Sequence, residues 1–485
     1  MCAISLTITK NDDFLTNMII KYIKLNIVIK IMKNKFVALL TLVFILFSTV
    51  SSGTVIAAIT PIESMMTGDH PPIRIIGNDQ FTPENGVTGG SGTEDDPYII
   101  ENWVIVCDGS ASQGIFINDT DVYFIIRNCT ISGFHHPDEF RQGIKLSEVT
   151  NGRIEDTKVS ECAIGIDIWF STENKIINCT CSDYPVYPDG YGIAIFQSTN
   201  ITIISSICYN MRYGIDISES SDITVQKTEC YNNTDWGLFA GVPRQNIMNF
   251  LIEDCMFKNN GQDGIWFSGS ARYTSCSIIR NCSFYGNQRG IFLQHVSDNI
   301  IENCVFDHNK VGMYLDDRAG NNIIRNCSFH SHTYEAVQIA GLLFFSRNNE
   351  ISYCDFIDNN IGIILISTRR NKIHHCVIEN NSYIGVVSAG SDARITSNNI
   401  FNNGRDYPVA PDPAGVYSWR SFLDVRHNWW GSPQGPSISL FIGFKNWKIV
   451  PIRTVDNSDV VMLRNGLALR FPWLSEPVPD AGRQT

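Results

Sequence analysis

The chain has 485 residues and a formal net charge of −12, with 44% hydrophobic and 18% charged residues. This composition is too apolar for a disordered chain and too acidic for a general nucleic-acid binder, which needs a basic surface against phosphate. The sequence has no phosphate-binding Gly-rich loop, no His-Glu-x-x-His and no Cys-x-x-Cys pair. Nucleotide-dependent chemistry and the common zinc sites are therefore not expected.

An export signal is predicted near the N-terminus. Residues 33–58 contain two Lys, then an apolar run from Phe36 to Phe47, then small residues. This is the order of a secretory signal, and the apolar run is shorter than the about twenty residues that a spanning helix needs. We interpret residues 1–58 as an over-extended start, with Met32 as the natural initiator, followed by a signal peptide or a membrane anchor. The rest of the chain is expected to be exported, either secreted or held at the cell surface.

A repeat of 22 to 30 residues runs from about Tyr98 to Trp430, and its clearest copies read IIRNCSFYGNQRGIFL and IIENCVFDHNKVGMYL. One mark of the repeat is a Gly followed by an apolar residue, and the other is a Cys. The Gly positions are Gly114, Gly143, Gly165, Gly192, Gly214, Gly237, Gly264, Gly290, Gly312, Gly362, Gly385 and Gly415. The Cys positions are Cys129, Cys179, Cys208, Cys230, Cys255, Cys282, Cys304, Cys327, Cys354 and Cys376.

The repeat predicts an all-β parallel β-helix, a solenoid of about fourteen coils. Each copy holds short β-branched alternations separated by Asn and Gly, and no copy contains a helical run of ten residues. Asn and Gly are expected at bends that need a positive φ. Because an open solenoid exposes its core and strand edges, each end needs a cap. The predicted divisions are an N-terminal cap over 59–97, repeats over 98–430 and a C-terminal cap over 431–485.

Three phrases add a family resemblance. The chain opens its repeats with Gly89-Gly-Ser-Gly-Thr-Glu-Asp-Asp-Pro-Tyr-Ile-Ile100 and closes them with Asn428-Trp-Trp-Gly-Ser-Pro-Gln-Gly-Pro436, and Phe471-Pro-Trp-Leu474 follows. Together with the repeat, they resemble the right-handed parallel β-helix proteins, in particular the NosD-type group and archaeal surface relatives. The resemblance implies a right-handed, pectin-lyase-like fold. It also implies periplasmic copper delivery for NosD-type proteins, and polysaccharide cleavage for the pectin lyases and polygalacturonases.

The repeated Cys are interpreted as buried free thiols. Equivalent residues of neighbouring coils lie about 4.8 Å apart, and parallel stacked side chains do not bring Cβ atoms as close as a disulfide requires. The alternation in Cys282-Ser-Phe284 places the thiol and the ring on one inward face. The Asn that precedes several of these Cys, as at Asn281 and Asn303, is predicted to supply a left-handed bend.

Five residues are candidates for catalysis. Asp167 and Asp216 occupy one outward position two coils apart, or roughly 9.6 Å, which is close to the carboxylate separation of inverting glycosidases. Lys145 takes the same position one coil before Asp167, as a lyase base beside a carboxylate would. Asp316 and Asp317 follow another strand. The alternative is that all are solvated residues on an outer sheet face.

A row of aromatic residues is the candidate ligand surface. The residue after each Gly-apolar pair is predicted to point outward, and four consecutive coils place Phe239, Trp266, Phe292 and Tyr314 there. We call these four residues the aromatic stripe. Trp169 and Phe196 are predicted on the neighbouring outward position. Outward aromatic side chains need a partner, which could be a ligand or a covering loop such as residues 184–191 or 240–250.

Three functions remain open at this point. The leading one is a non-catalytic surface protein that binds an extracellular glycan or a cell-surface protein, and an uncharged or cationic glycan suits the stripe and its carboxylates best. The second is a polysaccharide hydrolase or lyase, and the third is a NosD-like accessory protein for copper delivery. No cofactor is evident and no metal site is predicted, since the dense His sites do not align in the repeat. No nucleic-acid partner is expected. Contact with a membrane is expected only through the N-terminal segment.

Overall fold

The computed structural model describes residues 68–107, 109, 111–135, 141–182, 190–241, 248–269, 275–341, 344–404, 414–442, 448–453, 458–464 and 467–484. The predicted signal or anchor over residues 1–58 therefore lies outside the described residues. Within those ranges, no helix has the length and apolarity that crossing a membrane requires.

The strands, numbered β1 to β45 in chain order, form three sheets along one axis. Sheet 1 contains β1 (Ile73–Ile76), β4 (Gln113–Thr120), β7 (Gln142–Val149), β10 (Ile164–Trp169), β13 (Tyr191–Phe196), β16 (Tyr213–Ser218), β19 (Trp236–Gly241), β22 (Asp263–Ser268), β25 (Arg289–Gln294), β28 (Val311–Asp316), β31 (Glu335–Ala340), β34 (Ile361–Ile366), β37 (Ile384–Ala389), β40 (Ala414–Trp419), β42 (Ser437–Ile442), β43 (Lys448–Arg453) and β44 (Val460–Arg464). Sheet 2 contains β2 (Tyr98–Glu101), β5 (Phe124–Arg127), β8 (Gly152–Glu155), β11 (Lys175–Ile177), β14 (Thr199–Ile204), β17 (Ser221–Gln226), β20 (Leu251–Glu253), β23 (Ile278–Arg280), β26 (Ile300–Glu302), β29 (Ile323–Arg325), β32 (Glu350–Ser352), β35 (Asn371–His374), β38 (Asp392–Thr396), β41 (Phe422–Asp424) and β45 (Leu467–Leu469). Sheet 3 contains β3 (Val104–Val106), β6 (Thr130–Ser132), β9 (Lys158–Ser160), β12 (Thr180–Ser182), β15 (Ile207–Tyr209), β18 (Glu229–Tyr231), β21 (Met256–Lys258), β24 (Ser283–Tyr285), β27 (Val305–Asp307), β30 (Ser328–His330), β33 (Asp355–Ile357), β36 (Val377–Glu379) and β39 (Asn399–Phe401).

The predicted parallel β-helix is confirmed. From β1 to β39 the chain visits sheets 1, 2 and 3 in order, and the strands pair in parallel with their counterparts one turn later, as β10 does with β13. Near the C-terminal end, β42 and β43 of sheet 1 pair antiparallel instead. In the described residues, thirteen successive turns, from the one that begins with β1 to the one that begins with β37, carry a strand on every sheet. The first of them is interrupted by two short 3₁₀-helices, which leaves twelve regular turns. The predicted fourteen coils therefore slightly exceed the regular turns, because the turns at both ends are irregular.

One apolar core runs the length of the solenoid. On sheet 3, Phe257, Phe284, Phe306, Phe329 and Phe356 are fully buried and stack with centroid separations of 4.5–5.3 Å. These separations match the roughly 4.8 Å spacing between paired strands, so each ring lies directly over the next. Parallel stacking of identical turns thus produces a continuous column of face-to-face rings.

The repeated Gly serve close packing and not a positive φ. None of the repeat glycines adopts a positive φ in the described residues. A Cβ on Gly290 would lie 2.5 Å from the Gly312 carbonyl oxygen and 2.7 Å from the Phe306 ring. The predicted reason for Gly at these positions is therefore wrong: a side chain there would collide with the backbone of the next turn.

The bend between sheets 2 and 3 has the predicted left-handed conformation. Asn128, Asn178, Asn281, Asn303 and Asn326 adopt φ values of 51° to 56°. Among residues with a side chain, Asn tolerates this region well because its short amide can bond locally. The prediction for the Asn before each Cys is confirmed at these positions.

The Cys form two rows and not one. After the bend comes a buried row of thiols and hydroxyls, in which the backbone N–H of Cys179 donates to the Ser206 Oγ atom at 3.2 Å. Cys208 and Cys230 lie instead two residues later, paired with each other on sheet 3. The predicted single row is therefore wrong at these two residues, which occupy the core position that later turns fill with Phe. All of the described Cys are free thiols. Burial raises the pKa of Cys129 to about 11, so its reactive thiolate is disfavoured.

Both predicted caps contain strands that pair with the solenoid. β1 pairs with β4 at the N-terminal end, and β44 and β45 pair with β40 and β41 at the C-terminal end. Two short 3₁₀-helices, Asn78–Gln80 and Pro83–Asn85, follow β1. Phe81, next to the first of them, stacks on Tyr98 at 4.9 Å.

The C-terminal tail folds back along sheet 3. The backbone N–H of Val478 donates to the Asn399 Oδ1 atom at 2.7 Å, on the turn of β39. The Gly482 N–H then donates to the His375 carbonyl oxygen at 2.8 Å. Arg483 N–H donates to the Asp355 Oδ1 atom at 3.2 Å, on the turn of β33. The tail thus continues beyond the last strand and runs opposite to the direction of the stacked turns.

Candidate functional site

The predicted outward positions form one row on sheet 1. Successive strands pair these residues directly, as Asp216 with Phe239 and Phe239 with Trp266. The row contains Phe116, Lys145, Asp167, Ala194, Asp216, Phe239, Trp266, Phe292, Tyr314 and Gln338. The structure therefore places the aromatic stripe on four adjacent turns, as predicted.

The four rings of the aromatic stripe contact one another. Centroid separations along it are 5.0 Å from Phe239 to Trp266, 5.8 Å to Phe292 and 5.2 Å to Tyr314. Phe239, Trp266 and Tyr314 are half-buried, whereas Phe292 is only 6% exposed. The Arg289 guanidinium covers the Phe292 ring at 3.8 Å. Phe292 therefore lies in the outward row as predicted, but its ring is covered by Arg289 and is not exposed.

Three further aromatic residues extend this face, and the sequence analysis missed them. Tyr191, Tyr213 and Trp236 stand just before a repeat Gly and are half-buried in the row beside the stripe. Tyr213 and Trp236 lie 4.5 Å apart, and Trp236 lies 4.8 Å from Trp266. The available signal was the recurrence of an aromatic residue before the Gly in three successive copies. We call these three residues and the aromatic stripe together the aromatic surface.

Trp169 and Phe196 form a separate cluster. Their rings lie 5.0 Å apart, and the exposed Phe170 contacts Phe196 edge-on at 5.9 Å. In register, Phe196 is followed by Ser218 and then Gly241, so no ring continues this row toward the stripe in the next two described turns. The structure thus brings these two predicted residues together, but not into ring contact with the stripe.

The Lys145, Asp167 and Asp216 side chains lie on the same row as the stripe. The Lys145 Nζ atom is 3.3 Å from the Asp167 Oδ2 atom, and the Asp167 side chain is fully buried. Burial raises the pKa of Asp167 above its usual value, and Lys145 opposes this shift. Burial also raises the pKa of Asp216 to about 6, although the Ser218 hydroxyl donates to its carboxylate at 2.7 Å. The small Ala194 lies between the two carboxyl groups.

Asp316 and Asp317 do not join these carboxyl groups. Asp316 ends the strand that carries Tyr314, four turns from Asp216 in register, or roughly 19 Å. Burial and the neighbouring Asp317 carboxylate raise the pKa of Asp316. The Asp317 Oδ1 atom accepts the Phe344 backbone N–H at 3.3 Å. The five predicted catalytic candidates therefore divide into two distant groups.

The sequence model for the right handed beta helix region matches residues 113–274, 240–342 and 273–429. The chain belongs to the right-handed β-helix family. No curated protein sequence matches this β-helix protein.

Solved structures similar to this β-helix protein include three polysaccharide enzymes. The periplasmic alginate epimerase AlgG shares 15% identity at a TM-score of 0.40, over 81% of this chain and 83% of that chain. The AlgE4 A-module, a mannuronan C-5 epimerase of Azotobacter vinelandii, shares 14% at 0.37, over 73% and 87%. The GH87 α-1,3-glucanase catalytic unit of Streptomyces thermodiastaticus shares 10% at 0.36, over 75% and 64%. At these identities the likeness concerns the fold alone.

One residue of the dense His sites, His332, is buried in the core. This residue occupies a position where other turns have Asn. The Nδ1 atom of His332 accepts the backbone N–H of Asn309 at 3.2 Å, and the backbone N–H of His332 donates to the Asn359 Oδ1 atom at 3.1 Å. Burial lowers the pKa of His332 to about 3, so the ring is neutral at ordinary pH. In the described part of the chain, no group of three or more His, Cys, Asp or Glu residues is arranged to hold a metal ion.

Proposed function

We propose that this β-helix protein binds an extracellular glycan through its aromatic surface, without cleaving it. The observation that carries the proposal is the continuous contact of seven aromatic rings on the outer face of sheet 1. A solvated sheet face is ordinarily polar, and contiguous apolar area on it marks an interaction surface. The proposal includes export by the segment of residues 33–58, to the cell surface or the medium.

The chemistry of this surface favours an uncharged or cationic glycan. Tyr and Trp combine an apolar ring, which can pack on the apolar face of a sugar, with a polar group at the edge. The Asp216 and Asp316 carboxylates border the two ends of the aromatic stripe and can accept hydrogen bonds from sugar hydroxyls. Anionic sugars would be repelled by the same carboxylates.

Polysaccharide cleavage is the second candidate function. Asp216, with a pKa of about 6, could donate a proton near neutral pH, and Asp167 lies two turns away, or roughly 9.6 Å. That separation is at the upper end of the range for inverting glycosidases. Asp167 is fully buried against Lys145, however, so it has no access to substrate or water in this conformation. Non-catalytic binding is therefore the better supported function. Copper delivery rests on the NosD resemblance alone, and stoichiometric copper retained after dialysis would support it.

A glycan array followed by substitution tests the leading proposal. Trp266→Ala and Tyr314→Ala should each weaken binding of the polymer that the array identifies by at least about 1 kcal/mol, as for other aromatic anchors. Tyr285→Ala is the matched control, because Tyr285 is 41% exposed on sheet 3, away from the aromatic surface.

Two results would contradict the proposal. If the stripe variants lose folding stability while binding per folded molecule is unchanged, the rings are covered core. Alternatively, the appearance of new reducing ends or double bonds, abolished by Asp216→Asn, would establish cleavage instead of simple binding.

A further inference from the structure

A second apolar surface lies on the outer face of sheet 2. The first outward residues of β20, β23, β26 and β29 pair in register and are half-buried: Leu251, Ile278, Ile300 and Ile323. We call these four residues the aliphatic row. The same position is polar on the three turns before the row and on the three turns after it, at Lys175, Thr202, Thr224, Glu350, Lys372 and Arg394. Since an outer sheet face is ordinarily polar, four consecutive aliphatic residues mark a contact surface.

A row of alternating charges runs beside the aliphatic row. Two residues further along the same strands stand Glu253, Arg280, Glu302 and Arg325, which we call the charged row. Within the chain, Arg280 contacts Glu253 and Arg325 contacts Glu302, each at 2.6 Å. The four charges therefore sum to zero within one copy, and the charged row favours neither an anionic nor a cationic partner. Its signs alternate along the solenoid in the order negative, positive, negative, positive.

This order of signs is self-complementary under a two-fold axis. When the axis is parallel to the strands and lies between β23 and β26, two copies face each other with their turns in opposite order. The two aliphatic rows then meet, with Ile278 opposite Ile300 of the second copy. In the charged rows, the negative first position meets the positive fourth position, and the positive second meets the negative third. Every facing pair thus has opposite signs, whereas a row of like charges or of three alternating charges would bring like charges together.

We propose that the aliphatic and charged rows form a contact between two copies of this chain, packed face to face through sheet 2. Polar residues of the flanking turns, such as Thr224 and Glu350, form the rim of this contact. Four turns cover only about 19 Å, so the contact is smaller than a standard interface of about 800 Å² per partner. We therefore expect a reversible dimer with a dissociation constant in the micromolar range. This inference is independent of glycan binding, which uses sheet 1.

Exchange of the signs in the charged row tests the proposal. The variant Glu253→Arg, Arg280→Glu, Glu302→Arg, Arg325→Glu keeps an acid beside a base at both contacts within the chain, and its order of signs is again self-complementary. It should therefore dimerise with itself about as tightly as the wild type does. A mixed pair of wild type and variant has like charges at all four facing positions, so its dissociation constant should be at least about tenfold higher. Sedimentation velocity of the labelled full chain, titrated with unlabelled wild type or variant, measures all three affinities.

The aliphatic row is tested separately by Ile278→Lys with Ile300→Lys. This double variant should raise the dissociation constant of its own dimer at least about tenfold, because four cations meet in the contact. Ile177→Lys is the matched control and should change nothing, since Ile177 is also a half-buried outward residue of sheet 2 but lies three turns before the row. Mixed pairs as tight as the two self-pairs, with native thermal unfolding of both proteins, would overturn the proposal. A wild type that stays monomeric throughout the titration would overturn it as well.

Discussion

The inner and outer faces of the same strands of sheet 1 vary in different ways along the solenoid. On four consecutive turns the inner residues are Ile193, Ile215, Leu238 and Ile265, all fully or almost fully buried. The outer residues beside them are Ala194, Asp216, Phe239 and Trp266. The inner positions stay aliphatic because each must pack on the turns above and below. The outer positions are not constrained by that packing, so their residue types carry information about function.

The largest expected difference between an inner and an outer residue, measured as the loss in free energy of unfolding on substitution, is on sheet 3. Phe306 stacks between Phe284 at 4.7 Å and Phe329 at 4.5 Å, in the middle of the buried column. Phe306→Ala should lower the free energy of unfolding by about 3–5 kcal/mol, because it removes a fully buried ring and leaves a cavity. Tyr285→Ala, an exposed ring on the same sheet, should cost within about 0.5 kcal/mol. Urea unfolding of both variants checks this, and equal costs would mean that the column contributes no special packing.

A second test concerns the end of the buried amide row, where a carboxyl group replaces an amide. The Asn403 Nδ2 atom donates to the Asp459 Oδ2 atom at 2.7 Å, just as Asn381 donates to Asn403 one turn earlier. Burial raises the pKa of Asp459 from 3.8 to about 8. The folded protein therefore retains a proton that the unfolded chain releases, and this contribution to stability is full below about pH 3.8. It is lost as the pH rises through about 8.

Asp459→Asn should therefore stabilise the protein more at alkaline than at acidic pH. The amide keeps the acceptor for Asn403 without the cost of burying a charge. The gain relative to the wild type should grow between about pH 4 and pH 8, reach at least about 2 kcal/mol and then level off. Urea unfolding across this pH range is the measurement. Asp424→Asn is the contrasting control: the hydrogen bond from Arg426 lowers the pKa of the half-buried Asp424, so this substitution should not stabilise the protein at alkaline pH. A gain that is constant with pH would show that the Asp459 proton is not linked to folding.

This contrast also explains what could be predicted from the sequence. The stripe from Phe239 to Tyr314 was predicted in the right register, because a regular Gly-apolar mark repeats once per turn and side chains alternate along a strand. Tyr213 and Trp236 were missed, since the strand begins irregularly around the repeat Gly and the alternation rule does not extend to the residue before it. Whether a ring such as Phe292 is covered depends on Arg289 from its own strand, and a repeat pattern does not specify that contact.

The errors at Cys208 and the repeat Gly have a related origin. A Cys can follow the bend or stand two residues later on sheet 3, and both positions are buried and small enough for a thiol. Their spacing in the sequence differs by only two residues, which lies within the variation of the repeat length. The repeat Gly were predicted to need a positive φ, but the reason for Gly290 is contact with the next turn, at Gly312. Contacts between turns, unlike local conformation, become visible only when the register of the coils is known.

The smallest expected effect separates the two reasons for Asn or Gly in the repeat. Asn281 lies at the bend with φ 55°, and its amide donates to the Asp254 Oδ1 atom of the previous turn at 3.2 Å. Asn281→Ala should cost about 1–2 kcal/mol, because a Cβ without a bonding group is unfavourable in the left-handed region. Asn281→Gly should cost less, since Gly adopts this φ freely and loses only the exposed amide bond and some backbone entropy.

At Gly290 the expected cost of Ala has a different cause, because the φ of Gly290 suits any residue. Gly290→Ala should be destabilising by about 1–3 kcal/mol through overpacking against the Gly312 carbonyl. Thermal and urea unfolding of the three variants distinguish these causes. If Asn281→Gly lowered the free energy of unfolding as much as Asn281→Ala does, the amide hydrogen bond, and not the backbone conformation, would determine the choice of Asn at the bend.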